Sequence, residues 1–459
     1  MSVGFAMESY RATIEYLLTD FAEHVLPSIA EELVFRDLSL GKASKPKIGS
    51  TAKVIVGMRR SGKTFRVYQE ILSLREAGVE ASCICYFNFD DDRLRPYSSH
   101  LVSDVLEVFY EIHPQARVEG AYVFFDEVQD VPEWDVTVRR ILDTEKVSLC
   151  VTGSSSRMLS DDVATEFRGR SVSYELLPYS FREYLRQHGA EPAPEKSLSS
   201  KVLASFLKKS LRAYLVEGGF PAAQDLDDME RAQLLQGYAQ LTVARDVVER
   251  FGFSNAAFAR SVARSAITSS ARDVSISRLG NKAKQSGYTS GRAAITELID
   301  SFEDAHMVYQ VYEFSYSAQK VRLGGLKLYA ADPGLYWASS IASSDGLTFA
   351  FETAVYLELR RRRSSGRLGD ISMLKLSSGK EVDFVEGDAT LDKASLLVQV
   401  CFDMSDAKTE AREVSALEEA MERFGCTDSL IITFDEERDI ETASGVIKVR
   451  PAWKWLLEA

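Results

Sequence analysis

Positive charge is scarce in this chain. Its 55 lysines and arginines stand against 68 aspartates and glutamates, a formal net charge of −13 over 459 residues. Non-specific coating of a phosphate backbone runs on positive charge, so this balance excludes a nucleic-acid coat protein and leaves room only for a local patch. Long apolar runs are also missing: none approaches the ~20 residues that a membrane-crossing helix needs. The N-terminal MSVGFAMESYRATIEYLL lacks a basic segment leading into an apolar one. The expectation is a cytoplasmic protein with no membrane partner. Cysteine is sparse, five in all, without metal-ligand spacing; Cys83 and Cys85 alternate in a strand-like run and read as reduced thiols on one face. The five histidines, His24, His100, His113, His188 and His306, form no HExxH pair. No GxSxG elbow is found at GSSS, so a serine nucleophile is not expected there.

What is present is a glycine-rich loop. GMRRSGKT, Gly57 to Thr64, fits GxxxxGK[ST] and lies between a predicted strand, Ala52 to Val56, and a predicted helix from Lys63 to Ala77. Its glycines allow backbone N–H groups to turn onto phosphate oxygens. Lys63 supplies a point charge for the β- and γ-phosphates, and Thr64 a hydroxyl for Mg²⁺. On the helix, Phe65, Tyr68, Ile71 and Leu72 are expected on one apolar side, with Gly78 as the stop.

Three later segments belong with this loop. Strand-like ASCICYFNF and a helix near Leu101 to Tyr110 precede AYVFF, an apolar run suited to a strand buried on both faces, which ends in Asp126-Glu127. An aspartate there can hold Mg²⁺ through water, and the next glutamate can polarise an attacking water. VSLCVTGSSS, Val147 to Ser156, repeats the pattern and places Ser154 or Ser155 where the ligand crevice of a parallel sheet lies. Phe167-Arg168-Gly169-Arg170 then precedes strand-like SVSYELL, and an arginine at that point can reach a neighbouring subunit's phosphates.

Together GMRRSGKT, FFDEVQDVPEW, VTGSSSRMLS, FRGR, LPYSFREYL and EGGFP resemble the prokaryotic AAA+ ATPases that carry a C-terminal domain of unknown function, from about Thr51 to Phe402. The resemblance implies an α/β fold, a P-loop AAA+ parallel sheet with a helical lid. It also implies ATP and Mg²⁺ as cofactors. The nucleotide site would use Gly57, Arg60, Ser61, Gly62, Lys63, Thr64 and Phe65, with Thr64 and Asp126 at the metal, Glu127 on water, Ser154 as sensor and Arg170 as arginine finger.

Beyond the core, the Pro/Ser/Glu-rich connector Gly189 to Ser200 leads into helical segments expected to form the lid. From Arg260 to Arg292 seven basic residues face only Asp273, a local charge of +6 in an acidic protein. Within it, SISRLGNKAKQSG reads as a helix, YTS as a turn and GRAAITELIDSF as a second helix with Ile295, Leu298, Ile299 and Phe302 on one face; MVYQVYEF and LKLYAAD follow as strands. That order predicts a winged helix, with Ser290 and Arg292 opening the recognition helix and Arg278, Lys282 and Lys284 near the DNA backbone.

The last segment resembles the PD-(D/E)XK nuclease fold. Glu352 on a helix and Asp383 on a strand match its carboxylates, while Gln399-Val400-Cys401 stands where ExK is expected. An amide replaces a metal-binding carboxylate and the hydroxide-stabilising lysine is gone, so the domain reads as a degenerate restriction-endonuclease-like fold unless Lys380 or another residue substitutes. The basic run Arg360 to Arg363 suits either nucleic-acid binding or a solvated helix end.

The expected organisation is an ATPase core over 1–188, a lid over 189–254, a winged helix over 255–338 and a small nuclease-like α/β domain over 339–459. The expected function is ATP hydrolysis coupled to DNA binding, with a homo-oligomer or protein partner open. An ATP-regulated DNA nuclease and a nucleotide-gated protein-binding adaptor without DNA stand beside it.

Overall fold

The computed structural model describes residues 2–29, 33–42, 44–154, 167, 169–193, 198, 200–253, 255–285, 291–315, 325–340, 345–364 and 370–458. The chain divides into two compact units, Met1–Leu176 and Leu177–Ala459.

The first unit is built on five parallel strands, β1 (Ala52–Val56), β2 (Ile84–Asn88), β3 (Ala121–Asp126), β4 (Val147–Gly153) and β5 (Ser171–Glu175), in the order β2-β3-β4-β1-β5. Parallel strands reach their neighbours through helical crossovers, so both faces are covered and the strands are apolar throughout. In β1, Ala52, Val54, Ile55 and Val56 are all fully buried. One face packs Val54, Val56, Val123 and Phe125 among side chains of the helices Leu101–Ile112 and Trp134–Thr144. The other packs Ile55 and Phe124 with Val67, Tyr68, Ile71 and Leu74 of the helix Lys63–Glu76 and with Phe21 and Leu40.

Two local expectations shift. Phe65 is not on the apolar face of its helix: it is 46 % exposed, and Val67, Tyr68, Ile71 and Leu74 form the buried side. Cys83 does not share a strand face with Cys85, because Ala81–Cys83 form a 3₁₀ turn and β2 begins at Ile84. Trp134 meets Phe167 edge-on with ring centroids 5.9 Å apart, a packing role.

The second unit opens with helices Phe181–Gln187, Lys201–Glu217 and Asp228–Thr242, the first and third started by capping boxes, Ser180 with Glu183 and Asp227 with Glu230. The EGGFP segment is tied down between them. The Gly219 N–H donates to Asp332 Oδ2 at 2.5 Å, and a Cβ on Gly219 would meet the Tyr179 carbonyl at 2.3 Å, so no larger residue fits. Helix Ala256–Ile267, β6 (Arg272–Val274), helices Ile276–Gln285 and Arg292–Asp304, β7 (Val308–Tyr312) and β8 (Leu326–Ala330) follow, the strands forming an antiparallel sheet in the order β6-β8-β7. Helix Gly346–Ser364 leads to β9 (Asp370–Lys375), β10 (Glu381–Asp388) and β11 (Lys393–Cys401), an antiparallel meander. Helix Ala407–Phe424 crosses over to β12 (Asp428–Thr433), parallel to β11; β13 (Arg438–Thr442) and β14 (Gly445–Pro451) complete a six-stranded sheet ordered β13-β14-β12-β11-β10-β9.

Candidate active site

The loop between β1 and the helix Lys63–Glu76 takes left-handed backbone angles that L side chains avoid. Gly57 has φ 153°, Arg60 70° and Gly62 100°. A Cβ on Gly57 would sit 2.2 Å from the Leu176 carbonyl oxygen and 3.2 Å from Ser61 Oγ, so the close approach needs glycine. Among the described residues Ser61 Oγ is buried with no hydrogen-bond partner, and Ser61 itself has no exposed surface. From behind, Arg36, buried on the segment leading to β1, donates from Nη1 to the Ser61 carbonyl at 2.8 Å. A loop with no room for a Cβ at Gly57, an orphaned hydroxyl and a helix N-terminus at its base fits a bound phosphate chain.

Lys63 is almost wholly buried. Its Nζ donates to the Gly57 carbonyl at 3.1 Å and the Met58 carbonyl at 3.4 Å, and pairs with Glu127 Oε1 at 3.1 Å. Thr64 Oγ1 donates to Asp126 Oδ2 at 2.7 Å. Parallel pairing brings these groups together: β1, β3 and β4 all end at the same edge, delivering the loop, the acidic pair and Thr152 to one crevice. Thr152 donates to Asp126 Oδ1 and accepts the Glu127 N–H at 3.0 Å. Tyr86, on β2, donates to Asp126 Oδ2 at 3.0 Å, and Gln129 Nε2 donates to Glu127 Oε2 at 2.9 Å.

Burial pushes the Asp126 carboxyl above its ordinary range, and the neighbouring Glu127 charge adds to that, against hydrogen bonds from Thr152 and Thr64. Burial acts on Glu127 in the same direction but is overcome by the Lys63 ammonium and Arg59, so Glu127 is held low and ionised. Glu127 also holds a left-handed φ of 54°, a strained angle for a glutamate, which aims its carboxylate back at the loop.

Ser154 is fully buried one residue past β4. Ser155 and Arg168 lie outside the described residues. Arg170 is not gathered into this crevice. Because β5 runs parallel to β1 with Ser171 opposite Ala52, Arg170 stands at the strands' N-terminal end, about 16 Å from the loop by strand rise, and pairs with Asp143 at 2.5 Å. Thr152, Tyr86, Gln129 and Arg36 were missed from sequence; the threonine ending the apolar run VSLCVT carried the clearest signal.

In the second unit Arg278 and Arg292 are exposed. Lys282 and Lys284 belong to the helix Ile276–Gln285, but their side chains, like Ser290 as a whole, lie outside the described residues. The run Arg360 to Arg363 is drawn into internal contacts. Arg360 lies 4.1 Å over the Tyr309 ring and Arg361 donates to the Pro178 carbonyl at 2.9 Å, while Arg362 pairs with Glu358 at 2.9 Å and Arg363 with Asp370 at 2.7 Å. Glu352 and Asp383 do come together, with Glu381 on the same strand face as Asp383, and one residue not anticipated joins them: Lys327 Nζ lies 3.3 Å from Glu352, 3.1 Å from Asp383 and 2.7 Å from Glu381. Burial pushes the Glu352 carboxyl up to about 7, against the pull of Lys327. Gln399 Oε1 accepts the Asp383 N–H at 3.3 Å, and its Nε2 donates to Glu413 at 2.5 Å. Lys380 is elsewhere, 3.6 Å from Glu419.

Comparison with known proteins agrees with the geometry of the first unit. Residues 49–185 match the model of the AAA domain. The chain carries an AAA domain. That match supports ATP binding and hydrolysis in general terms. Residues 208–345 match a domain of unknown function, DUF8612. The uncharacterized protein MJ1544 of Methanocaldococcus jannaschii is 29 % identical over 443 residues, 93 % of this chain and 95 % of that one. An uncharacterized protein of Haemophilus influenzae is 26 % identical, covering 82 % and 89 % of the two chains. Among solved structures, the Aeropyrum pernix ORC1 protein in complex with DNA matches with a TM-score of 0.29 and 16 % identity, over 71 % of this chain and 96 % of that one. Cdc6p from Pyrobaculum aerophilum matches at 0.23 and 12 %, over 63 % and 86 %. Likenesses this distant carry nothing on what this chain binds. Among the described residues no helix is long and apolar enough to cross a membrane.

Proposed function

We propose that this protein is a magnesium-dependent ATPase whose nucleotide cycle is coupled to DNA. The observation that carries the ATPase half is the convergence of Lys63, Thr64, Asp126 and Glu127 on one glycine-lined cradle. Lys63 and the Gly57 to Thr64 backbone, with Arg60, Ser61 and Gly62, would grip the triphosphate, and Phe65 would border it. Thr64 and Asp126 would hold magnesium, which supplies charge neutralisation and alignment of the phosphates. Among the described residues no three His, Cys, Asp or Glu side chains gather as a metal cluster, which agrees with a metal held by one hydroxyl, one carboxylate and the nucleotide itself.

Lys63 is stored on Glu127 and would turn from it to phosphate oxygens. The carboxylate so released, oriented by Gln129 and by the Thr152 bond to its backbone, would position and deprotonate water. Ser154 would sense the site from the end of β4. Arg170 stands too far from its own loop, so we assign it to the site of a neighbouring copy, which makes a homo-oligomer the working form.

The DNA half rests on the second unit. The order helix, strand, helix, helix, strand, strand over 255–338, with its β6-β8-β7 sheet, supports a winged-helix reading. Arg278 and Arg292, with Lys282, Lys284 and Ser290, would meet DNA. Residues 189–254 would act as lid, and 339–459 as a nuclease-like fold.

The test is ATP hydrolysis by wild type and Glu127→Gln, each with single-stranded, duplex and branched DNA. The expectation is turnover by wild type that rises with one of these DNAs, and binding without turnover by the variant. A wild type that never turns over reduces the protein to a nucleotide binder. Turnover indifferent to every DNA, with a protein partner recovered from cells, would favour the adaptor.

A further inference from the structure

The second unit contains a buried cation that the nucleotide chemistry does not use. Lys327 is the one charged residue of β8, Leu326–Ala330, all five of whose residues are buried. Its ammonium has three N–H donors, and three carboxylates meet it, from Glu381 and Asp383 on β10 and Glu352 on the helix Gly346–Ser364, at 2.7 to 3.3 Å. The carboxylates are themselves oriented. Tyr329 donates to Glu352 at 2.8 Å, and the Val400 N–H donates to the second oxygen of Asp383 at 2.9 Å.

Oxygen ligands converging from a helix and a strand on one small cation are what Mg²⁺ and Mn²⁺ take, at about 2.0–2.2 Å. Here the centre is a nitrogen, at hydrogen-bond rather than coordination distance, and among the described residues no group of three His, Cys, Asp or Glu closes to metal geometry. We infer that Lys327 is an internal cation filling a divalent-metal position, so that the native chain holds no metal here and removing the ammonium uncovers a manganese or magnesium site. An ammonium cannot polarise a phosphoryl oxygen as a divalent ion does or lower the pKa of a bound water, so a chain in this state does not cut phosphodiesters by metal-activated water. The inference is independent of the ATPase reading.

The experiment titrates MnCl₂ into the nucleotide-free full chain and counts bound Mn²⁺ by electron paramagnetic resonance, for wild type, Asp383→Asn, Lys327→Met and Lys327→Met with Asp383→Asn. The expected result is equal Mn²⁺ per chain in wild type and Asp383→Asn, one more in Lys327→Met, and loss of that ion in the double variant. Should Lys327→Met fail to fold, Lys327→Met with Glu381→Gln, which removes a carboxylate along with the ammonium, takes its place with the same expectation. A wild-type ion lost on Asp383→Asn overturns the inference. So does the absence of an added ion in both lysine variants.

Discussion

Among the described residues two lysines, Lys63 and Lys327, are buried against carboxylate, and they are set up for opposite purposes. Lys63 has one carboxylate partner, Glu127, and fills its other bonds with the loop carbonyls of Gly57 and Met58. Beside it lies a Ser61 hydroxyl without a hydrogen-bond partner among the described residues, in a loop where Gly57 has no room for a Cβ. Lys327 has three carboxylates and spends its donors on them. A buried cation with unsatisfied surroundings is poised to change partners, whereas one surrounded by anions is locked, because moving it would leave several buried charges unpaired. Function follows the first arrangement and architecture the second.

The largest effect expected is at Lys63. Lys63→Ala should abolish measurable ATP turnover, and Glu127→Gln should lower kcat by about 100-fold or more while equilibrium binding of labelled ATP persists. Equal losses of binding in both variants would erase the distinction between gripping and water-activating roles.

At Lys327 the loss should fall on stability instead. Removing one partner of a buried charge cluster costs about 3–5 kcal/mol. Lys327→Met should therefore lower the thermal transition in metal-free buffer, and leave ATP turnover without DNA near that of wild type. A variant as stable as wild type without metal would show the cluster to be no lock.

Another buried carboxylate, Asp332, sharpens the contrast because backbone N–H groups, not a lysine, are its hydrogen-bond partners. Burial pushes Asp332 from 3.8 up to about 6, against hydrogen bonds from the Gly219 and Gly334 N–H groups. A raised acid favours the protonated fold. Its contribution is fully present below pH 3.8 and lost as pH rises through 6, a swing of about 3 kcal/mol. The stability difference between wild type and Asp332→Asn should thus change between pH 4 and 7, with wild type gaining toward acid. A difference constant over that range, read by denaturant unfolding, would contradict the assignment.

The smallest effect belongs to Tyr86. Its hydroxyl is one of three that donate to Asp126, so Tyr86→Phe should raise the magnesium concentration needed for half-maximal turnover a few-fold, about 1 kcal/mol, with kcat less affected. A change in kcat alone would place Tyr86 outside metal positioning.

The same contrast explains what could be read from the sequence. The phosphate loop is contiguous, so Gly57, Lys63 and Thr64 announce themselves by spacing, and the acidic pair follows because a both-faces-buried strand needs an unbroken apolar run before it. Phe65 was misplaced because it meets the helical spacing, yet lies in the first turn, clear of the core formed by Val67, Tyr68, Ile71 and Leu74. Arg170 reads as part of the site until the parallel register puts it at the far end of β5. The lysine of the Lys327 cluster has no local signature. The cluster's members sit at 327, 352, 381 and 383 on three elements; Glu352 and Asp383 were legible only through the nuclease-like resemblance, and Lys327, a charge in the otherwise apolar LKLYAA, carries nothing local that names its partners.

The account depends on Lys63 and Glu127 serving a single nucleotide in different ways. Measuring ATP binding and single-turnover hydrolysis side by side in wild type and Glu127→Gln tests this most directly. The prediction is that the variant retains bound ATP intact while wild type converts it to ADP. Hydrolysis at the wild-type rate by the variant, or no ATP binding by the wild type, would contradict it.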